Sequence, residues 1–110
     1  MTVTFFYNKD SVSGLLENVV YLELKRRGYE VYIGKEVNCE IDFIARRRDE
    51  IEYFQIAYLL ASPETIEREF APLLGIKDNY PKYVLSLDDF NFGRQGILHR
   101  NIKEWLKEKY

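Results

Sequence analysis

The sequence predicts an α/β domain in which a mixed central β-sheet is flanked by helices. The first observation is a hairpin-like stretch from Val37 to Tyr58, which predicts two antiparallel strands. The second is a strand–helix–strand segment from Ile51 to Leu87, which predicts two parallel strands joined by a crossover helix. The third is a composition of 46% hydrophobic and 15% aromatic residues, which is typical of a packed core. At 110 residues, we expect residues 1–110 to form a single domain.

The first helix has clear start and stop signals. Ser11 or Ser13 is a suitable N-cap, apolar residues then follow at helical spacing, and Gly28 comes directly after Lys25-Arg26-Arg27. On a helical wheel Glu17 falls on the apolar arc and not on the polar face. Residues 1–12 precede this helix with a strand-like run, and we expect either an edge strand or a connection to a longer protein.

The hairpin is the stretch around which the other elements are expected to assemble. With a turn centred on Arg48-Asp49, facing residues have numbers that sum to 97, so Asp42 faces Gln55. Alternation then predicts two faces. One is expected to carry Glu40, Asp42, Tyr53, Gln55 and Ala57, and the other Ile41, Phe43, Phe54 and Ile56.

The remaining elements follow from caps, turns and apolar runs. Ser62-Pro63 opens a second helix that ends near Gly75, and a polar loop spans Asp88 to Gly96. The other predicted elements are strands at Tyr29 to Ile33, Lys82 to Leu87 and Ile97 to Ile102, and a helix at Lys103 to Lys109 anchored by Trp105 and Leu106.

Composition excludes several classes of site. The formal net charge of −2 gives no broad positive field for nucleic acid, so any such binding would be local. A single cysteine, Cys39, and a single histidine, His99, exclude an internal disulfide and a cysteine-based or histidine-based metal cluster, which leaves oxygen ligands. No membrane-length apolar run or signal-type start is present, so we expect a cytoplasmic protein without membrane contact. The high aromatic content leaves rings for a homodimer interface.

Three polar residues indicate a site. A carboxylate such as Asp42 in an apolar strand is unfavourable unless a partner is present, and Gln55 is expected on the same face. A helix packed on the sheet could direct Glu17 towards them. The structural alternatives are that Glu17 caps a helix edge or pairs with a basic residue, and that Asp42 is hydrogen-bonded to backbone amides or a lysine.

Glu17, Asp42 and the segment Gln55-Ile56-Ala57, thirteen residues after Asp42, resemble the active-site motif of restriction-endonuclease-like, or PD-(D/E)XK, nucleases. The resemblance implies a restriction-endonuclease-like fold, a supporting role for Glu17, a metal-binding role for Asp42, and Gln55 in the place of a metal-binding glutamate. It also implies Mg²⁺ or Mn²⁺ if the site is active. The sequence departs from the motif, because Gln55 is neutral and Ala57 replaces the lysine. Glu40 could restore a metal ligand.

A second resemblance covers most of the chain from Gly14 onwards. The segments starting at Gly14, Glu40, Thr65, Asp78 and Gly96 are similar, in order, to a C-terminal domain of unknown function in prokaryotic AAA-type ATPases. The resemblance implies an upstream ATPase module, while this chain has no P-loop and is not expected to bind ATP.

Together the two resemblances imply a non-catalytic accessory or interaction domain with a degenerate nuclease site, no cofactor, and a protein or nucleic-acid partner. The alternative is a Mg²⁺- or Mn²⁺-dependent DNA nuclease with a rearranged site, in which Lys35 or Lys82 replaces the missing cation.

Overall fold

The computed structural model describes residues 11–108, so the run predicted as an edge strand lies largely outside the described residues. The described chain is a five-stranded mixed sheet with helices on both faces, which confirms the predicted α/β class. The elements in chain order are α1 (Ser11–Arg26), β1 (Glu30–Ile33), a short 3-10 turn (Gly34–Val37), β2 (Phe43–Arg47), β3 (Glu50–Ile56), α2 (Pro63–Leu74), β4 (Lys82–Ser86), β5 (Leu98–Asn101) and α3 (Ile102–Lys107).

Helix α1 ends where the sequence indicates. Gly28 has a φ of 92°, a left-handed conformation that glycine adopts without steric cost. The Gly28 N–H donates to the Lys25 carbonyl, and the Tyr29 N–H donates to the Leu24 carbonyl, so the last helical carbonyls are satisfied. The basic residues Lys25 and Arg26 occupy the last turn, where the helix dipole favours positive charge.

The sheet joins an antiparallel half to a parallel half. Strands lie in the order β1-β2-β3-β4-β5, with β1, β2 and β3 antiparallel and β3, β4 and β5 parallel. The predicted hairpin register is confirmed, since Phe43 pairs with Phe54 and Ile44 with Tyr53. The predicted crossover is also confirmed, because α2 connects the parallel strands β3 and β4.

The beginning of the hairpin differs from the prediction. Strand β2 starts at Phe43 and not near Val37, because the chain first turns tightly over Gly34. A Cβ at Gly34 would lie 1.6 Å from the Ile41 carbonyl oxygen, so only glycine allows this crossing. The alternation of faces is therefore broken before β2. Ile41, expected beside Phe43, instead joins the core on the α2 side of the sheet.

Two hydrophobic cores lie on opposite faces of the sheet. On one face Phe43, Phe54 and Ile56 pack against residues of α1 and α3, including Leu24 and Trp105. On the other face, Ile41, Ala57 and Val84 pack against Phe70 and Leu73 of α2. Because α1 and α2 cover opposite faces, the two helices can line a common cleft only beyond an end of the sheet.

Helix α2 begins as predicted. Ser62 is its N-cap, with its hydroxyl accepting a hydrogen bond from the Thr65 N–H, and Pro63 occupies the first turn. Helix α3 is capped in the same way by Asn101, whose Oδ1 accepts from the N–H groups of Lys103 and Glu104.

Candidate functional site

A cleft of about 700 Å³ opens beyond the end of β3, between α1 and α2. Helix α1 contributes Ser13 and Glu17, and α2 contributes a wall that includes Glu69. The remaining lining comes from the segment before β2 and from the end of β3 with the loop after it. The sequence-predicted residues Glu17, Glu40, Asp42, Gln55 and Ala57 all line this cleft. The predicted convergence is therefore confirmed.

Asp42 and Gln55 hold the open end of the hairpin together through their side chains. The Asp42 N–H donates to Gln55 Oε1 at 2.8 Å, and Asp42 Oδ2 accepts from the Ile56 N–H at 2.9 Å. The Gln55 amide group donates in turn to the Glu69 carbonyl oxygen at 3.3 Å. Gln55 thus joins two backbone groups, one acceptor and one donor, and links the hairpin to α2. One Asp42 carboxylate oxygen therefore accepts a hydrogen bond from a backbone amide, as the structural explanation of this residue predicted.

Glu17 lines the cleft and has a pKa shifted far from its ordinary value. The residue is only 4% exposed, and its Oε1 atom has no hydrogen-bond partner in the described part of the chain. Burial, followed by the charges of Asp42 and Glu69, raises the pKa of Glu17 to about 8. The carboxyl group is therefore largely protonated at neutral pH. A buried polar atom without a partner is costly, which distinguishes Glu17 from an ordinary packed residue.

The cleft contains two charged residues that sequence reasoning missed, Arg68 and Glu69. Glu69 lies between Thr65 and Pro72 on one face of α2, and all three line the cleft. The sequence contains a pattern that indicates this shared face, since positions 65, 69 and 72 have helical spacing. The Arg68 Nε lies 3.6 Å from Glu69 Oε2, and the Arg68 side chain is 70% exposed. Among the described residues that line the cleft, Arg68 is the only cation.

The lysines expected as substitutes do not reach the cleft. Lys82 starts β4 at the opposite end of the sheet, where its Nζ donates to Asp78 Oδ1 at 2.8 Å and to the carbonyls of Asp78 and Tyr80. Tyr53 completes that cluster by donating to Asp78 Oδ2. The expectation for Lys82 is wrong, because its hydrogen bonds hold it at the other end of the sheet. Lys35 belongs to the 3-10 turn and is not among the residues that line the cleft.

The donor set does not match the divalent metal site that the nuclease resemblance implies. Gln55 Oε1 already accepts a hydrogen bond from Asp42, and it carries no charge. Asp42 Oδ2 is likewise engaged by a backbone amide. Within residues 11–108, no three acidic, histidine or cysteine side chains are grouped as metal ligands. Asp42 and Glu40 therefore remain predicted metal ligands without a completed ligand set.

A second polar cluster lies at the carboxyl end of β4, beside β5. His99 Nδ1 accepts from the Phe92 N–H, so the ring hydrogen is on Nε2, which lies 2.7 Å from Ser86 Oγ. The Ser86 hydroxyl donates to Asp88 Oδ2, which also accepts from the Leu60 N–H. Ser86 is fully buried and its hydroxyl hydrogen faces a carboxylate, so the arrangement is not that of an activated nucleophile. We name Ser86, Asp88 and His99 the β4–β5 network.

Comparisons with known proteins give a narrow result. No family model matches the chain, and no solved structure matches it. An uncharacterized protein of Haemophilus influenzae is 52% identical over 71 residues, which is 64% of this chain and 17% of the relative. The chain thus spans about a sixth of that relative's length. In the described part of the chain, no helix is both long and apolar enough to cross a membrane.

Proposed function

We propose that this chain is a non-catalytic interaction domain that keeps a restriction-endonuclease-like cleft and serves a larger AAA-type ATPase. The observation that carries the proposal is the use of Gln55. Both ends of its amide are engaged with backbone groups, Asp42 N–H and the Glu69 carbonyl. A glutamate carboxylate could accept the first of these bonds but could not donate the second. The position is thereby suited to holding the cleft in shape and not to binding a metal.

Ala57 supports the same proposal. It takes the place where the nuclease motif has its lysine, it is 6% exposed, and it packs against the α2 core. Within residues 11–108, Arg68 is the only cation that lines the cleft, and its side chain lies beside Glu69 and mostly in solvent. From the described residues, a phosphodiester substrate entering this cleft would meet several carboxyl groups and one exposed guanidinium group.

The link to a larger protein rests on the resemblance to the AAA-type ATPase domain and on the length of the Haemophilus influenzae relative. The aligned segment is 17% of that relative, so the rest of it has room for further modules. A cleft-bearing domain joined to an ATPase module would recruit or position a partner while the other module supplies the energy.

The test is a cleavage assay of the purified chain on supercoiled, branched and single-stranded DNA with Mg²⁺ or Mn²⁺. We expect no cleavage above that of a buffer control. Cleavage that is abolished by Asp42→Ala would overturn the proposal in favour of the rearranged nuclease. Calorimetric titration with Mn²⁺ adds a second readout, because binding that Asp42→Asn removes would also favour the nuclease.

A further inference from the structure

Helix α1 exposes apolar side chains on the side that faces away from the sheet. Val12, Leu15 and Leu22 have 40%, 57% and 37% of their surface exposed, and Val19 is partly exposed between them. The opposite side of the helix is already buried in the core through Leu24. A helix that is apolar on two opposite sides is typical of one that packs against a second layer.

This exposed side also lacks charge over about three turns. Between Val12 and Leu22 the only acidic or basic residue is Glu17, which is 4% exposed and lines the cleft. The other two α-helices of residues 11–108 do expose charged side chains, which are Glu64, Glu67 and Arg68 in α2 and Lys103, Glu104 and Lys107 in α3. An uncharged surface gives a charged partner no electrostatic gain, so the partner that fits α1 is apolar and uncharged as well.

The spacing of these residues indicates that the partner surface is a helix. Val12, Leu15, Val19 and Leu22, which we name the α1 stripe, have the alternating three- and four-residue spacing of a coiled-coil seam. The stripe is also symmetric about position 17, because Val12 and Leu22, and Leu15 and Val19, have numbers that sum to 34. A second, antiparallel copy of α1 therefore places a valine opposite a leucine in every layer.

Charge favours the antiparallel orientation. Lys25 is exposed in the last turn of α1, just beyond the stripe. In a parallel pair this lysine would lie beside the same lysine of the other copy, and the two charges would repel each other. In the antiparallel pair centred on position 17 they are about 24 Å apart along the axis, which exceeds the screening length of about 8 Å in physiological salt.

We propose that two copies of this chain associate through the α1 stripe, with antiparallel helices related by a two-fold axis at position 17. The stripe is about 15 Å long, so it offers less than the roughly 800 Å² per partner of a standard interface. The dimer is therefore weak, with a dissociation constant on the order of 0.1 mM. The proposal goes beyond the proposed function, because it concerns the side of α1 that faces away from the cleft and does not depend on the nuclease resemblance.

The first test is sedimentation equilibrium of the full chain at pH 7, from about 10 µM to about 1 mM. We expect the average mass to rise with concentration from that of one chain towards that of two. A mass that stays at the monomer value throughout would overturn the proposal. A mass that continues to rise beyond two chains would also overturn it, because a two-fold contact closes on itself.

Variants test whether the α1 stripe forms the contact. Leu15→Glu places a charge in the middle of the stripe and should weaken association at least about tenfold. Because Leu15 is 57% exposed, this variant should unfold at the same temperature as wild type. Leu98→Glu, at a leucine of β5 that is 45% exposed, is the matched control and should dimerise as wild type does. Association that survives Leu15→Glu, or that Leu98→Glu weakens equally, would overturn the proposal.

Disulfide cross-linking tests the antiparallel register without adding charge. The variants Val12→Cys and Leu22→Cys are prepared with Cys39→Ser, so that each chain has one cysteine. Oxidation of an equal mixture should link the two variants to each other. Either variant alone should stay unlinked, because its two cysteines are about 15 Å apart and a disulfide requires Cα atoms within about 7 Å. Links that form as readily within one variant as in the mixture would overturn the register.

A vesicle assay distinguishes a second copy from a lipid surface, which also accepts an apolar helix face. The chain should stay in the supernatant when phosphatidylcholine vesicles are sedimented. Co-sedimentation that Leu15→Glu removes would overturn the dimer in favour of a lipid surface. A monomeric chain in all of these experiments would leave the non-catalytic function standing, because that function is tested by DNA cleavage and Mn²⁺ binding.

Discussion

The acidic cleft and the β4–β5 network are both partly buried clusters of polar groups, yet their hydrogen bonding differs. In the network, Ser86, Asp88 and His99 each have a partner, and Asp88 also accepts from the Leu60 N–H. In the cleft, Glu17 Oε1 has no hydrogen-bond partner among residues 11–108. A satisfied cluster stabilises the fold, whereas a buried carboxyl group without a donor lowers stability and needs another reason to be there. This difference is the reason that we propose a structural role for the β4–β5 network and a binding role for the cleft.

The largest expected effect is the pH dependence that Glu17 gives to stability. Its pKa is about 8 in the folded chain, against an ordinary value of 4.5, so the folded state binds more protons between these two pH values. The free energy of unfolding should therefore fall as pH rises from 5 to 8, and it should not change through this group below 4.5 or above 8. Each unit of pKa difference corresponds to about 1.4 kcal/mol.

Glu17→Gln should remove this dependence. Relative to wild type, the variant should gain about 4 kcal/mol between pH 5 and pH 8, measured by urea unfolding at each pH. Glu67→Gln, exposed on α2, serves as the matched control and should follow the wild-type profile. Parallel profiles for wild type and Glu17→Gln would mean that Glu17 titrates like an exposed carboxyl group, and the contrast with the β4–β5 network would be lost.

The next largest effect is expected in the β4–β5 network. Asp88→Ala removes the acceptor of the Leu60 N–H and of the Ser86 hydroxyl, and leaves both donors without a partner. The free energy of unfolding should fall by about 3 kcal/mol in urea denaturation at pH 7. Asp89→Ala changes an exposed neighbour and should stay within about 0.5 kcal/mol. A loss below about 1 kcal/mol for Asp88→Ala would show that the network contributes little to the fold.

The elements of this fold could be predicted because their signals are local. Gly28 ends α1, Ser62 begins α2, and the turn at Arg48 sets the hairpin register, so each boundary follows from nearby residues. The displacement of Ile41 could not be predicted, because it depends on a close approach between Gly34 and the Ile41 carbonyl that is specific to the tertiary structure.

The cleft could be predicted in part for the same reason. The hairpin register predicted that Asp42 and Gln55 lie side by side, and the helical wheel predicted that Glu17 lies on the buried side of α1. The structure has both features. Helical spacing places Glu69 on one face of α2 with Thr65 and Pro72, but the tertiary structure decides that this face lines the cleft. Lys82 does not replace the lysine that is missing from the nuclease motif, because it pairs with Asp78 in the turn before β4. That ion pair holds Lys82 at the other end of the strand.

The smallest effect tests whether Gln55 serves the structure, as the β4–β5 network does. Gln55→Glu keeps the acceptor for the Asp42 N–H, but it places a carboxylate oxygen against the Glu69 carbonyl, where an N–H donated before. The free energy of unfolding at pH 7 should fall by about 1 to 2 kcal/mol. The deficit relative to wild type should shrink as pH is lowered to 5, because a protonated carboxyl group can again donate to that carbonyl. Gln55→Met, which has neither hydrogen bond, should show a deficit in unfolding free energy that does not depend on pH.

The opposite outcome is that Gln55→Glu is as stable as wild type and gains affinity for Mn²⁺. Position 55 would then still be suited to a metal ligand, and the cleft would resemble a nuclease site more closely than its hydrogen bonds indicate.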